Sequence, residues 1–136
     1  MDCIFCKIIA GEIPSIKVFE DGNTLAFMDI NPLSEGHLLV VPKKHFTTLF
    51  DADDDSLAQI FSVVRKLAVA LQKALGIDSL NLLQANGRWA VQSVPHFHVH
   101  VIPRRENDGV PLDPELKPGN VEQVRKTGEA IATALS

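Results

Sequence analysis

The sequence lacks the features of several large classes of protein. Its 136 residues carry 13 lysines and arginines against 17 aspartates and glutamates, so no basic excess favours general nucleic-acid binding. Its longest apolar stretches, such as residues 38–41, are far too short to cross a bilayer. The N-terminus has neither a basic segment nor a long apolar one. We therefore expect a cytoplasmic protein without nucleic-acid or membrane partners.

Cysteine is also scarce. The two cysteines, Cys3 and Cys6, have the C-x-x-C spacing. In a reducing compartment this spacing indicates half of a metal site or a redox pair more than a structural disulfide.

With 46% hydrophobic and 22% charged residues, the chain has the composition and length of one globular domain, which we place at residues 1–136.

Short segments rich in β-formers predict a sheet. The turn sequence Asp21-Gly22-Asn23 predicts a hairpin between the first two segments. Pro32 restricts the residue before it and limits the second strand, and Pro103 is expected to end the last one. The five predicted strands are residues 16–20, 24–30, 37–42, 79–84 and 96–102.

Helical spacing of apolar residues predicts one long helix from residue 57 to residue 75, closed by Gly76. A short helix is expected at residues 5–10. The proline-rich residues 106–119 predict a loop, and Asn120 with Gln123 forms a capping pair for a C-terminal helix. The fold class is thus α+β, a mainly antiparallel five-stranded sheet with one long helix packed on it.

The five histidines fall into two segments, His37 and His45 in the first and His96, His98 and His100 in the second. Because side chains alternate along a strand, the last three are expected on one face. A solvated polar face and a metal site of H-x-H-x-H type are two explanations. The third is nucleophilic attack on phosphorus, for which one imidazole nitrogen must be free while the other donates its hydrogen to a fixed acceptor.

The run His96-Phe97-His98-Val99-His100-Val101-Ile102 resembles the signature of the histidine triad (HIT) superfamily. The resemblance extends over roughly residues 3–105 and includes CIFCKIIAGEIP at 3–14, AFMDI at 26–30, GHLLVVPKKH at 36–45 and QSV at 92–94. It is strongest to the Hint-like bacterial type. It implies a HIT-like fold and a two-fold dimer whose sheets join across the interface.

The resemblance also implies roles for individual residues. His98 takes the position of the nucleophile, and His100 would orient His98 or its backbone. His96 would contact the phosphate or the leaving group. His37 would lie behind the triad, and Ser93 would lie near the bridging atom.

A nucleotide-binding set is implied in the same way. Asp29 corresponds to the acid that grips the ribose hydroxyls, and Asn86 and Gln92 correspond to phosphate-contacting residues. Five apolar residues would form the slot for the base, although ordinary core is the alternative for each: Ile4, Phe5, Ile8, Phe27 and Ile30. The implied ligand is an AMP-like purine nucleotide, with no organic cofactor.

One departure from the family pattern lies in the loop before the triad. Val91 stands where relatives usually have glycine, which narrows the backbone freedom of a loop that must approach phosphate. Trp89 adds bulk nearby. Both residues affect the expected loop shape and the leaving group that it accepts.

Two thiolates and two imidazoles suit tetrahedral Zn²⁺, so Cys3, Cys6, His45 and His96 are candidate zinc ligands. Some bacterial family members resemble this pattern, whereas others lack the cysteines. Such a zinc would be structural and would tie the N-terminus to the catalytic strand. The alternative is two free thiols.

The implied activity is hydrolysis that releases a nucleoside 5′-monophosphate, AMP or GMP, from a phosphoramidate or a related leaving group through a covalent nucleotidyl-histidine. One alternative is a dinucleoside polyphosphate hydrolase of the fragile-histidine-triad type, to which Pro95 and residues 103–104 are somewhat similar. Another is a nucleotide-binding regulatory dimer with little turnover. In the implied homodimer, the long helix would bury Leu57, Phe61 and Val64 against its symmetry mate.

Overall fold

A five-stranded antiparallel sheet forms the centre of the computed structural model, which describes residues 2–135. The spatial order of the strands is β1-β2-β3-β5-β4, and every neighbouring pair is antiparallel. Within these residues, no helix is both long enough and apolar enough to cross a membrane. The predicted α+β sheet is confirmed, with the strands β1 (Lys17–Glu20), β2 (Thr24–Met28), β3 (Leu38–Pro42), β4 (Ser79–Leu83) and β5 (Val99–Arg104).

The long helix, α2 (Asp54–Leu75), packs on one face of this sheet. It begins at Asp53, whose carboxylate accepts a hydrogen bond from the Ser56 amide at 3.0 Å, and two further acidic residues in the first turn suit the helix dipole. It ends at Gly76, which adopts a left-handed conformation with φ 66°. The predicted glycine cap is confirmed.

The sheet separates two apolar clusters. The larger one joins α2 to strand residues that include Ala26, Val99 and Val101. The smaller one lies under the short helix α1 (Ile4–Ile9) and includes Leu25 and Phe27. Because neighbouring residues of β2 point to opposite faces, one strand contributes to both clusters. The α1 face is the one that carries the candidate site.

The last strand differs from its prediction at both ends. It begins at Val99 and not at residue 96, and it continues through Pro103 to Arg104. The Pro103 carbonyl accepts a hydrogen bond from the Ser34 hydroxyl at 2.6 Å, so the backbone polar groups of Pro103 face the β3 side. The β3 ladder has already ended at the pair Leu38 and Val101, and the missing proline N–H therefore breaks no ladder bond.

The C-terminal part follows its prediction. Residues 105–120 have no helix or strand, and α3 (Val121–Leu135) follows them with exposed side chains throughout. Asn120 accepts a hydrogen bond from the Gln123 amide at 3.0 Å, as expected of a helix cap.

Candidate functional site

The three histidines of the run are brought to one face of the sheet, as predicted. Phe97, Val99 and Val101 lie in the opposite cluster against α2. His96 is fully buried and His98 is 3% exposed. A solvated polar face is therefore the wrong explanation for this run, because polar side chains are buried where they have fixed partners.

His98 is oriented by a backbone carbonyl two residues earlier. Its Nδ1–H donates to the His96 oxygen at 2.7 Å, which leaves the lone pair on Nε2. Burial lowers the pKa of His98 and favours the neutral ring. The orienting contact that the resemblance assigns to His100 is thus supplied by the His96 carbonyl, while the His100 ring packs edge-on at 5.1 Å between centroids.

A second hydrogen-bonded chain fixes His100. The Leu33 amide donates to Nδ1 of His37 at 3.0 Å, so the hydrogen of His37 is on Nε2. That Nε2–H donates to Nδ1 of His100 at 2.9 Å. His100 consequently carries its own hydrogen on Nε2, available to a ligand. His37 does lie behind the triad.

These two rings are held neutral. Burial lowers the pKa of His37. Burial also lowers the pKa of His100 to about 4, with further contributions from the neighbouring His98 and His37. Neutral imidazoles keep the donor and acceptor pattern described above at neutral pH.

Acid sensitivity should follow from His100. Its pKa is about 4 in the folded chain against an ordinary value of 6.5. Between these two pH values, the ring is protonated in the unfolded chain and neutral in the folded chain. The stability that the neutral ring contributes is therefore complete above pH 6.5 and is lost as the pH falls towards 4. We expect the free energy of unfolding in urea to fall from pH 7 to pH 5, and to fall less in His100→Gln.

Two hydrogen-bonded carboxylates, Asp53 and Asp108, are not the source of this acid sensitivity between pH 7 and pH 5. Hydrogen bonds from Ser56 and from Arg104 lower the pKa of Asp53 and of Asp108 from the ordinary value of 3.8. Burial also lowers the pKa values of His37 and His98, which remain in the variant, so the difference between wild type and His100→Gln reports the contribution of His100 alone. An equal loss of stability in both proteins would contradict the assignment.

A cavity of about 370 Å³ opens beside His98 and His100. It brings together most of the predicted nucleotide set, with Asp29 and Ser93 on the polar side. Of the five apolar candidates, Phe5, Ile8 and Phe27 are buried wall residues that also belong to the smaller cluster, whereas Ile4 and Ile30 are exposed at the rim. Phe5, Ile8 and Phe27 therefore both line the cavity and belong to the apolar core. The remaining lining residues are Ile13, Pro14, Ser15, Met28, Asn31, Leu39 and Val94.

Some of those lining residues were missed by the sequence patterns. Leu39 pairs with Phe27 across β2 and β3 and so shares its face, which strand alternation would have indicated. No pattern in the sequence predicted a wall position for residues 13–15. Their place in the wall depends on how the chain returns from α1 to β1.

Asn86 and Gln92 do not line the cavity, although they were expected at the phosphate. Asn86 accepts a hydrogen bond from the Leu49 amide at 2.7 Å. Gln92 accepts from the Gly87 amide at 2.8 Å and donates to the Thr47 carbonyl at 2.7 Å. Both side chains brace the loop before the triad, and a phosphate contact from either residue stays a prediction.

The backbone of Val91 adopts a conformation that is normally found in glycine. Its backbone has φ 62° and ψ 45°, the left-handed region, and its side chain is 81% exposed. β-Branched residues are strained there, because Cβ crowds the backbone. The residue that stands in place of glycine thus adopts a conformation that strains a valine backbone.

Replacing Val91 with glycine should therefore stabilise the protein. Relief of left-handed strain is worth about 1–2 kcal/mol, and the greater freedom of glycine in the unfolded chain offsets about 0.5–1 kcal/mol of it. We expect a net gain of up to about 1 kcal/mol in urea unfolding. The matched control is Val69→Gly on the exposed side of α2, which should lose roughly 0.5 kcal/mol. A loss at both positions would show that Val91 is unstrained.

A four-residue cluster lies on the other side of His96. Its Nδ1 is 3.3 Å from Cys3 Sγ, 3.6 Å from Cys6 Sγ and 3.0 Å from His45 Nδ1, and Cys6 Sγ is 3.4 Å from His45 Nδ1. All four donor atoms lie within 4.8 Å of one another. These spacings and this donor set fit a metal ion that is coordinated tetrahedrally by two cysteines and two histidines.

The orientation of His96 supports that fit. Its Nε2–H donates to the Pro42 carbonyl at 2.8 Å, which leaves the Nδ1 lone pair towards the cluster, as is usual for a metal-binding histidine. Both ring nitrogens are thus engaged away from the cavity. The contact between the His96 side chain and phosphate that the resemblance implies is not supported by this geometry.

A second group of potential ligands, Asp29, His37 and His100, also has its donor atoms within 4.8 Å. The Leu33 amide already occupies the lone pair on Nδ1 of His37, and the hydrogen is consequently on Nε2, which faces the group. A protonated nitrogen does not ligate a metal. This group is better described as the hydrogen-bonded chain behind His100.

Comparison with known proteins connects this site to a family. The HIT domain model matches residues 10–107. The chain belongs to the HIT family. An uncharacterized HIT-like protein of Methanocaldococcus jannaschii is 49% identical over 125 residues, covering 91% of this chain and 96% of the relative. The adenosine 5′-monophosphoramidase of Schizosaccharomyces pombe is 41% identical over 136 residues and is covered to 99% in both chains.

Solved structures of HIT proteins share the fold. A HIT family member from Bacillus subtilis has a TM-score of 0.90 at 39% identity, over 100% of this chain and 99% of that one. A zinc-bound histidine triad protein from Mycobacterium smegmatis has a TM-score of 0.78 at 36% identity, over 98% of this chain and 96% of that one. The HIT-like fold is therefore confirmed over the whole domain.

Proposed function

We propose that this HIT protein is a nucleotide hydrolase that releases a nucleoside 5′-monophosphate, AMP or GMP, from a phosphoramidate. The observation that carries the proposal is the buried His98, whose Nδ1–H is engaged at 2.7 Å and whose Nε2 lone pair is left free beside the cavity. The similarity over the full length to an adenosine 5′-monophosphoramidase supports this class of substrate.

In the proposed reaction, Nε2 of His98 forms a bond to phosphorus while the bond from phosphorus to the leaving nitrogen breaks, and that nitrogen, protonated from solvent, departs as the amine. Ser93 lines the same cavity, and in this proposal its hydroxyl donates to the bridging atom. The Nε2–H of His100 stabilises charge on the phosphoryl oxygens. Water then attacks phosphorus and breaks its bond to Nε2 of His98, losing a proton to solvent, which releases the nucleoside monophosphate and restores neutral His98.

The cavity suits a nucleoside on its other side. The edge of the Phe5 ring meets Phe27, with centroids 5.6 Å apart, and these rings with Ile8 offer an apolar surface for a purine. Asp29 accepts the Asn31 amide on one oxygen at 2.8 Å, while its other oxygen faces His37 at 3.5 Å. Its carboxylate borders the cavity, where ribose hydroxyls can donate to it.

We also propose that Cys3, Cys6, His45 and His96 hold a zinc ion. When bound, the ion supplies a structural cross-link and no catalytic group, because the His96 ring faces away from the cavity. The donor distances support this proposal, as does the zinc-bound M. smegmatis relative.

A homodimer remains part of the proposal, but the predicted interface through Leu57, Phe61 and Val64 is corrected. Val64 packs into the core of its own chain at 3% exposure, and Leu57 is half-buried beside it, so α2 does not present both residues to a partner. Phe61 is 44% exposed, and Leu82 and Leu83 are exposed on the edge strand β4. Sedimentation equilibrium should give twice the chain mass at micromolar concentration, and a monomer would contradict the proposal.

Turnover of two substrates, together with binding of AMP, would test the function. We expect a higher kcat/KM for adenosine 5′-phosphoramidate than for diadenosine tetraphosphate. The opposite order would favour the fragile-histidine-triad type, whereas AMP binding without turnover of either would favour a regulatory dimer. The similarity of residues 103–104 to the fragile-histidine-triad type gains no support from the site. Arg104 does not line the cavity, because its guanidinium pairs with Asp108 at 2.8 Å and with Asn81 at 2.6 Å.

A further inference from the structure

We propose that ion binding at the Cys3, Cys6, His45 and His96 cluster and nucleotide binding in the cavity are energetically coupled, because α1 is part of both sites. The inference rests on the proposed function for the identity of the nucleotide. It assigns the cluster an effect on substrate affinity beyond holding the N-terminus in place.

The first link is α1 itself. Cys3 caps the helix, with its Sγ accepting the Cys6 amide at 3.4 Å, and both thiols point to the cluster. Phe5 and Ile8 of the same helix form the cavity wall. A six-residue helix is not stable by itself in water, so its position depends on what it packs against.

The second link is His96. Its ring belongs to the cluster, and its carbonyl accepts the Nδ1–H of His98 at 2.7 Å. The edge of the Phe5 ring contacts both His96 and His98, with centroids 5.8 and 5.1 Å apart. Fixing the His96 ring therefore restrains the carbonyl that orients the nucleophile and the aromatic ring beside it.

The third observation is the convergence of donors. The two imidazole Nδ1 atoms, of His45 and His96, lie 3.0 Å apart with a thiol within 3.6 Å of each. Two nitrogen and two sulfur donors this close together suit one shared cation. Without it, the closed arrangement of α1 against His96 loses its principal cross-link, while the apolar contacts of Phe5 and Ile8 remain.

Coupling of this kind is reciprocal. If the ion strengthens AMP binding by a given factor, AMP must strengthen ion binding by the same factor. Couplings between sites typically lie at about 5- to 150-fold. We expect AMP affinity to fall by a factor in this range when the ion is removed, without loss of the folded sheet.

The experiment uses the full chain in three measurements. Calorimetric titration gives the AMP dissociation constant of zinc-loaded protein and of protein stripped with a chelator. Competition with a zinc-binding dye gives Zn²⁺ affinity with and without saturating AMP. Hydrogen exchange at residues 3–10 should quicken on stripping while exchange in α2 stays unchanged. Equal AMP affinity in loaded and stripped protein would overturn the inference, as would a failure to bind Zn²⁺.

Two variants separate coupling from general destabilisation. His45→Asn removes a ligand that lies on neither α1 nor the cavity wall, and it should weaken AMP binding as much as stripping does. Ile60→Val loosens the opposite cluster under α2 and should leave AMP affinity unchanged. If His45→Asn fails to fold, stripping of the unmodified chain decides the question. Absence of AMP binding to loaded protein would instead refute the proposed function.

Discussion

Replacing His98 with asparagine is expected to lower turnover by several orders of magnitude while AMP binding survives. Asparagine is polar and of similar reach, but its amide nitrogen does not attack phosphorus, so the covalent route is removed. The cavity wall formed by Phe5, Ile8 and Phe27 is left intact. Single-turnover kinetics with adenosine 5′-phosphoramidate and calorimetric titration with AMP measure the two effects separately.

The covalent route has its own signature in the wild-type protein. Acid or denaturant quenching during turnover should trap an adduct with the mass of a nucleoside monophosphate, located on the peptide that contains His98. Ser93→Ala serves as the comparison, since it removes one stabilising contact worth about 1–3 kcal/mol and should leave the adduct detectable. Near-normal turnover in His98→Asn would refute the assignment of the nucleophile.

The second large effect concerns the paired change Cys3→Ser with Cys6→Ser. It should remove about one zinc ion per chain, because serine hydroxyls replace two of the four soft ligands. A ligand that binds only the folded state at about a thousand times its Kd stabilises it by about 4.1 kcal/mol. For a domain of this size, that loss lowers the Tm by on the order of 10 °C.

Elemental analysis and calorimetry check this expectation. A chelator should lower the Tm of the wild type towards that of the double variant and should leave the variant unchanged. That comparison separates loss of the ion from the direct cost of burying two serines. Protein purified without chelator that contains no metal would contradict the zinc proposal.

Strand alternation was enough to predict which histidines share a face, because a period of two fixes direction once a strand is present. It also predicted that Phe97 and Val99 project from the face opposite the histidines. The capping residues Gly76 and Asn120 were predictable for a similar reason, since helix ends are determined by a few local side chains.

Contacts from distant backbone groups were not predictable. The Pro42 carbonyl and the Leu33 amide decide which nitrogen of His96 and of His37 carries the hydrogen, and nothing in the histidine spacing identifies them. The resemblance placed the His96 side chain at the phosphate, but the thiols of α1 hold it on the opposite side. Val64 was assigned to an intermolecular surface because helical periodicity gives an apolar side without saying what covers it.

Residues 98–101 alternate between the two faces of the sheet, which limits how the length of this segment can vary. Val99 and Val101 fill the cluster under α2, while His98 and His100 face the cavity. Inserting one residue after His98 would shift the register and exchange these faces, placing imidazole in the apolar core and valine in the cavity. Insertions within the exposed residues 113–120 carry no such penalty, so evolution can lengthen the chain there without disturbing the triad.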